Sequence, residues 1–272
     1  MPALGHHVMF RSDDDRVLAP GVPQRRALAR SVLRIGGSYG LLAFGSADNH
    51  LHAVVLVDRA LAGEFAHRLA CSLRWALELP VPFFPTRFKA IEDQTYMKTA
   101  FNYALGQRNR HGIASDPFLD ASSLPDLLGL RPGQGDLITR VREHLPRVRR
   151  SDLLRHLGPD DLEPAEGERI AGVLAAGGSG LLLDAAAAVG ALPALVPRQR
   201  TEPLLLAALI QALAPLLAAR ALCAVVGRSP SHVRALRAVE VPPPIQRALR
   251  LQIALRAWLL AHHPEALPAA GA

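Results

Sequence analysis

The sequence predicts an α+β protein: an antiparallel sheet with packed helices, followed by an all-α C-terminal domain. Up to about residue 115, short β-branched runs alternate with segments whose apolar residues recur at i, i+3 and i+4; beyond it, nearly every segment has helical period. A turn-rich stretch, "SDPFLDASSLPDLLGLRPGQGD", separates the two characters. The expected organisation is a first domain over residues 1–117, a linker with connecting helices over 118–165, and a helical domain over 166–272.

Each element has its own signal. "HHVMFR" reads as a strand, and "PQRRALARSVLRIGG" as a helix closed by Gly36 and Gly37. "YGLLAFGSADNHLHAVVLV" reads as a pair of strands. Its run Ala53-Val54-Val55-Leu56-Val57 is continuous and β-branched, as in a strand covered on both faces. "ALAGEFAHRLACSLRWALEL" has helical spacing, and Pro80, Pro82 and Pro85 then interrupt the chain before a further strand and the helix in "TYMKTAFNYALGQRNRHGI".

Composition narrows the function classes. A net charge of +7 and a pI near 10.3 favour an anionic partner, with nucleic acid the commonest for such a chain. Cys71 and Cys223 stand far apart in helical, apolar contexts, which excludes a disulfide framework or zinc knuckle and suggests small core residues. The N-terminus lacks a basic region followed by an apolar one, and the longest apolar stretch is broken by Gln211, Pro215 and Arg220, so neither a signal peptide nor a membrane span is expected. With 5% aromatic residues, an RNA-binding sheet of stacking side chains has little support.

Two motifs carry chemistry. In "NHLH", His50 and His52 are two apart in a strand and point to one face, where two neutral imidazoles can hold one cation; the same spacing also fits two solvated histidines at a strand's head. In "YALGQ", Tyr103 and Gln107 are four apart on a helix, so a phenol and an amide oxygen can approach the same ion. A buried tyrosine beside a solvated glutamine gives the same pattern. Tyr96 reads as a packing residue, Tyr39 as a core or turn residue, and His6, His7, His67 and His111 as solvated or helix-terminal, with His111 also a candidate for a place near DNA.

Taken in order, these motifs resemble the HUH single-strand transposases, and most closely the REP-associated tyrosine transposases. The resemblance covers residues 5–117: the opening "HHVMFR", the Asn49-His50-Leu51-His52 strand, "RFKAIEDQTYM", and "YALGQRNRHGI", in which Tyr103, Arg110, Gly112 and Ile113 fall in register. Gln107 replaces the family's usual asparagine, and Arg108 its usual proline. The resemblance implies an HUH, ferredoxin-like catalytic domain in which His50, His52 and Gln107 hold Mg²⁺ or Mn²⁺ and Tyr103 attacks a DNA phosphate. The product would be a 5′-phosphotyrosine link and a free 3′-hydroxyl. It also implies single-stranded or hairpin DNA as partner, two chains or two successive events for a complete transposition, a bacterial cytoplasmic, nucleoid-associated location, and no small-molecule substrate. Arg11, Lys89, Arg108 and Arg110 are the expected DNA contacts of this half.

In the C-terminal half, "LAARALCAVVGRSPSHVRALRA" resembles a helix-turn-helix, with Cys223 at a small position, Gly227 at the turn, Val233 packing the second helix and Ser231 capping it. His232, Arg234 and Arg237 would then face DNA. A similar bundle follows the catalytic domain in some REP-associated transposases, after an element like Arg198-Gln199-Arg200. A structural bundle used for dimerisation is the alternative.

Overall fold

A computed structural model of the chain describes residues 3–112, 116–132, 135–195 and 202–267. The chain divides into two compact units, residues 1–128 with 133–158, and residues 129–132 with 159–272.

In the first unit the order is β1 (Gly5–Arg11), α1 (Val22–Gly36), β2 (Leu41–Ala47), β3 (His50–Val55), α2 (Arg59–Ala76), β4 (Arg87–Ile91), α3 (Gln94–Leu105), α4 (Gln107–His111), α5 (Leu124–Leu127), α6 (Gly135–His144) and α7 (Arg150–Leu157). The four strands form one antiparallel sheet in the order β2-β3-β1-β4. This is the ferredoxin-like β-α-β-β-α-β arrangement. Pleating sorts its residues. Val8, Phe10, Leu51, Ala53 and Val55 point to one face and form a buried core with Leu28 and Val32 of α1 and Phe65 and Leu69 of α2. The other face carries His7, Met9 and Arg11 from β1, His50 and His52 from β3, and Arg87 and Lys89 from β4, as the register Met9↔His52, Arg11↔His50, His7↔Lys89 and Met9↔Arg87 requires.

Helix α3 begins at an Asp93 cap that accepts from the Tyr96 amide, and it lays Met97, Ala100, Phe101 and Ala104 on this second face, mainly over β2 and β3. Close docking depends on Gly45, which is paired with His52: a Cβ there would lie 1.8 Å from the Ala104 carbonyl oxygen. Towards Arg11 and Arg87 the β1 and β4 portion of this face stays open, with Arg11, Arg87 and Lys89 exposed, while Tyr96 of α3 lies over His7 and Lys89.

The segment expected to be a linker is not a spacer. Residues 116–126 are all buried, Ser46 N–H donates to Ala121 O, and Ser123 N–H donates to Phe44 O, so the segment covers the edge of β2. Two ion pairs tie it to α1: Arg26 Nε to Asp120 Oδ2 at 3.0 Å, both fully buried, and Arg25 to Asp116 at 3.8 Å. Its Ser, Asp and Pro residues read as a boundary in sequence because their polar groups are satisfied by one another and by β2, a pairing that composition does not reveal. The first unit therefore continues to Gly158.

The second unit contains α8 (Gly167–Val189), α9 (Glu202–Leu213), α10 (Ala219–Val226), α11 (Pro230–Arg237) and α12 (Pro243–His262). Helix α8 is long and apolar enough to cross a membrane by length and composition, but it bends at Gly178 (φ 66°) and packs Leu181, Leu182 and Ala185–Val189 within the bundle beside α12 and α9. Helices α10 and α11 form a hairpin around Gly227, whose φ of 61° is the left-handed conformation that glycine adopts without penalty. Leu222, Val226, Val233 and Leu236 are its buried residues. The cap of α11 is Ser229, which accepts from the His232 amide, rather than Ser231; Pro230 already occupies the first helical position and starts the helix two residues earlier.

Candidate active site

The site forms where β3 and β1 meet α3. His50 and His52 point to the same face, their ring centroids 4.9 Å apart, and the Tyr103 ring stands 4.7 Å from His52 in an edge-on arrangement. Helix α3 ends at Leu105, and Gly106 (φ −81°, ψ 10°) turns the chain into the short α4. Across that break Gln107 Nε2 donates to the Tyr103 carbonyl at 2.8 Å, closing the end of α3. This orients the amide, leaving Oε1 buried with no hydrogen bond of acceptable geometry. The break matters: in one continuous helix the Gln107 backbone N–H would take the Tyr103 carbonyl that the side chain bonds here.

Hydrogen bonds set the tautomers. His50 Nδ1 lies 3.0 Å from Asn49 Oδ1, and Asn49 Nδ2 donates to Asp15 Oδ1 at 2.7 Å. An amide oxygen only accepts, so His50 carries its proton on Nδ1 and presents a lone pair at Nε2. His52 Nδ1 lies 3.0 Å from His7 Nε2, and His7 Nδ1 lies 3.3 Å from the Tyr96 hydroxyl. His52 Nε2 is buried without a partner.

All three imidazoles are held neutral. Burial, then the nearby His7, His50 and Arg110, pushes His52 down to about 3. Burial and His111 lower His50, opposed by Asp48 and by the Gln107 side chain, which favours the charged ring without a well-formed hydrogen bond. Burial and Lys89 lower His7. Neutral imidazole is the metal-ligating form.

Among the described residues no group of three or more His, Cys, Asp or Glu is arranged to hold a metal. The donor set that remains is two imidazole nitrogens and one amide oxygen. It fits a divalent ion, because two of the three atoms, His52 Nε2 and Gln107 Oε1, are buried polar atoms with nothing else to bind.

The structure gathers His50, His52, Tyr103 and Gln107, and it places Arg110 with its guanidinium carbon 4.1 Å from the Tyr103 ring centroid. Arg11 lies at the mouth, engaged with Asp15 at 2.7 Å, and Lys89 sits over the Tyr96 ring at 4.1 Å. The Arg108 side chain, Arg198 and Arg200 lie outside the described residues. In the second unit, His232, Arg234 and Arg237 are all exposed on α11.

The expectations for His7, Tyr96, His6 and Cys71 are corrected. His7 and Tyr96 belong to the site; the signal available in sequence was that His7 alternates with Met9 and Arg11 in β1, but only the strand register puts it diagonal to His52. His6 is buried, with Nδ1 2.9 Å from Val57 O, because neighbouring strands enclose it. His111 ends α4, the helix-terminal place expected of it, and pairs there with Asp48 at 2.6 Å, in the turn between β2 and β3. Cys71 is exposed, since it lies on the solvent side of α2.

No protein-family model, curated protein or solved structure matches this chain.

Proposed function

We propose that the protein is a metal-dependent enzyme that nicks and rejoins single-stranded or hairpin DNA through a covalent link to Tyr103. The observation that carries this reading is the pair of buried, unpartnered atoms, His52 Nε2 and Gln107 Oε1, beside the Tyr103 ring. The resemblance of the ordered motifs to tyrosine transposases points the same way.

His50, His52 and Gln107 would hold Mg²⁺ or Mn²⁺, which when bound polarises and orients a phosphate oxygen. Tyr103 Oη attacks the phosphorus and gives its proton to solvent, while the P–O3′ bond breaks and the departing O3′ takes a proton from solvent to become a free 3′-hydroxyl. The new 5′-phosphotyrosine bond retains a phosphodiester's reactivity, so another 3′-hydroxyl can displace the tyrosine and rejoin strands without a nucleotide cofactor. Arg110, stacked on the Tyr103 ring, holds the phenol in place and supplies positive charge for the phosphate. The uncovered part of the sheet face supports an approach path for the strand. There Arg11, Arg87 and Lys89 are exposed, and Met9, Arg11, Phe84, Pro85, Thr86 and Arg87 line a groove of about 450 Å³. The exposed face of α11 is the surface through which the second unit would choose duplex or hairpin targets.

The test is incubation of the full chain with labelled hairpin oligonucleotides and Mn²⁺ or Mg²⁺, followed by denaturing gel electrophoresis. A covalent protein–DNA band that requires metal and is absent from Tyr103→Phe is expected. Tight binding without an adduct would instead assign the chain to catalytically silent DNA binding.

A further inference from the structure

The uncovered sheet face is not the only basic surface beside Tyr103. Helix α3 has a second face, made by Gln94, Thr95, Lys98, Thr99 and Asn102, which recur at the spacing of a single helical stripe. Opposite it stand Glu143 and His144 at the end of α6 and the turn Leu145–Val148, held by the Val148 amide donating to Leu145 O. Together they enclose a cleft of about 670 Å³. That volume lies in the range of roughly 300–1,000 Å³ found for ligand sites. From Gln94 to Asn102 it runs about 12 Å along the helix, and it ends one residue before Tyr103.

The donors in the cleft suit a phosphate chain. Lys98 and Arg147 supply positive charge, and Gln94, Thr95, Thr99 and Asn102 are amides and hydroxyls of the kind that contact phosphate and sugar. Arg147 is exposed and makes no hydrogen bond or ion pair among the described residues, whereas Lys98 shares the field of Asp152 with Arg155. Glu143 is the one carboxylate in the lining. Among the described residues no Phe, Tyr or Trp lines it and His144 is its single ring, so its contacts favour backbone over bases. The charge is concentrated in the chain itself: residues 140–156 hold Arg140, Arg142, Arg147, Arg149, Arg150 and Arg155 against Glu143 and Asp152.

We propose that this cleft binds the sugar–phosphate backbone of the DNA strand flanking the bond attacked by Tyr103. This rests on the reading of the chain as a single-strand DNA-processing enzyme. It assigns the 140–156 segment to substrate holding, a role separate from the sheet face and from α11.

The experiment measures binding of the full chain to labelled hairpins with and without a single-stranded flank, by fluorescence anisotropy across a NaCl series. The proteins are wild type, Lys98→Glu/Arg147→Glu, and Lys98→Gln/Arg147→Gln, with melting temperatures compared first. Wild type is expected to favour the flanked hairpin. Both double variants should lose that preference and lower the slope of log Kd against log salt by about 1.4, as expected for two single-strand phosphate contacts. Affinity for the unflanked hairpin should stay within about two-fold. A variant that melts like wild type and keeps both the slope and the preference overturns the proposal, as does a wild type indifferent to the flank or one that prefers a flank of RNA over DNA. The Tyr103 adduct of wild type, scored separately on flanked hairpins with Mn²⁺ or Mg²⁺, reports the enzymatic reading independently: its absence with an intact flank effect sinks that reading and leaves the cleft.

Discussion

A Cβ on Gly45 would lie 1.8 Å from the carbonyl oxygen of Ala104, so the strand opposite His52 has no room for any side chain beneath α3. The Gln107 Cγ lies only 3.4 Å from the same position. One backbone contact thus sets the height of α3, which carries Tyr103, and of the turn at Gly106 that leads to Gln107, over the two histidines.

Gly45→Ala must therefore lift α3 or bend β2. Overpacking of this kind costs about 1–3 kcal/mol. Urea unfolding should report that loss, and the variant should also lose Mn²⁺ binding and adduct formation, because a displacement of about an ångström separates the donors. Unchanged metal affinity would mean that the site tolerates a shifted helix.

The His7–His52 contact of 3.0 Å predicts a role for His7 in metal affinity without direct ligation. Only a proton on His52 Nδ1, donated to His7 Nε2, leaves His52 Nε2 free to bind an ion. His7→Phe should weaken Mn²⁺ binding by about 10–100-fold, the usual cost of removing such a partner, and His7→Gln should restore part of it. Long-range ¹H–¹⁵N spectra of the metal-free protein should find His52 protonated on Nδ1 in wild type and on Nε2 in His7→Phe. Tyr96→Phe removes only the far end of the chain at 3.3 Å and should have the smaller effect.

The buried pair Arg26–Asp120 holds residues 116–126 against α1. Asp120→Ala leaves a buried guanidinium short of its main counter-charge and should destabilise the fold by about 3–5 kcal/mol. Differential scanning calorimetry measures this. A change below about 1 kcal/mol would place the stability of the segment in its backbone pairing with β2 instead.

Burial, followed by the charge of Asp120, pushes the Asp116 carboxyl up to about 6, against the opposing Arg25 and the amides of Ala121 and Asp120. Between its unfolded value near 4 and about 6, the folded chain holds a proton there that the unfolded chain has released. Stability should therefore fall as pH rises through that window, by at most about 1.4 kcal/mol per unit. Asp116→Asn should remove this part of the dependence in denaturation curves taken from pH 4 to 7.

On α11, Arg234→Ala and Arg237→Ala should each reduce the salt slope for duplex or hairpin binding by about 0.9, the value for one phosphate contact on duplex DNA. Neither should alter the melting temperature, since both side chains are exposed. A slope identical to wild type in both would favour a purely structural role for this hairpin.

The order of elements in the first unit, the two histidines on one strand face and the glycine turn of the C-terminal hairpin were all legible in the sequence, because each is local. Pleat parity places His50 with His52, and only glycine sits easily at the left-handed Gly227. The single helix expected to carry Tyr103 and Gln107 is instead broken at Gly106, and Gln107 meets Tyr103 across that break. What the tertiary structure alone decided is long-range. Strand order brings His7 within hydrogen-bond distance of His52 across 45 residues of sequence, and the Ser-, Asp- and Pro-rich segment after residue 115 is buried because β2 and two arginines of α1 satisfy its polar groups. A residue's own spacing encodes its direction from the backbone; it does not encode which neighbour the fold will set opposite it.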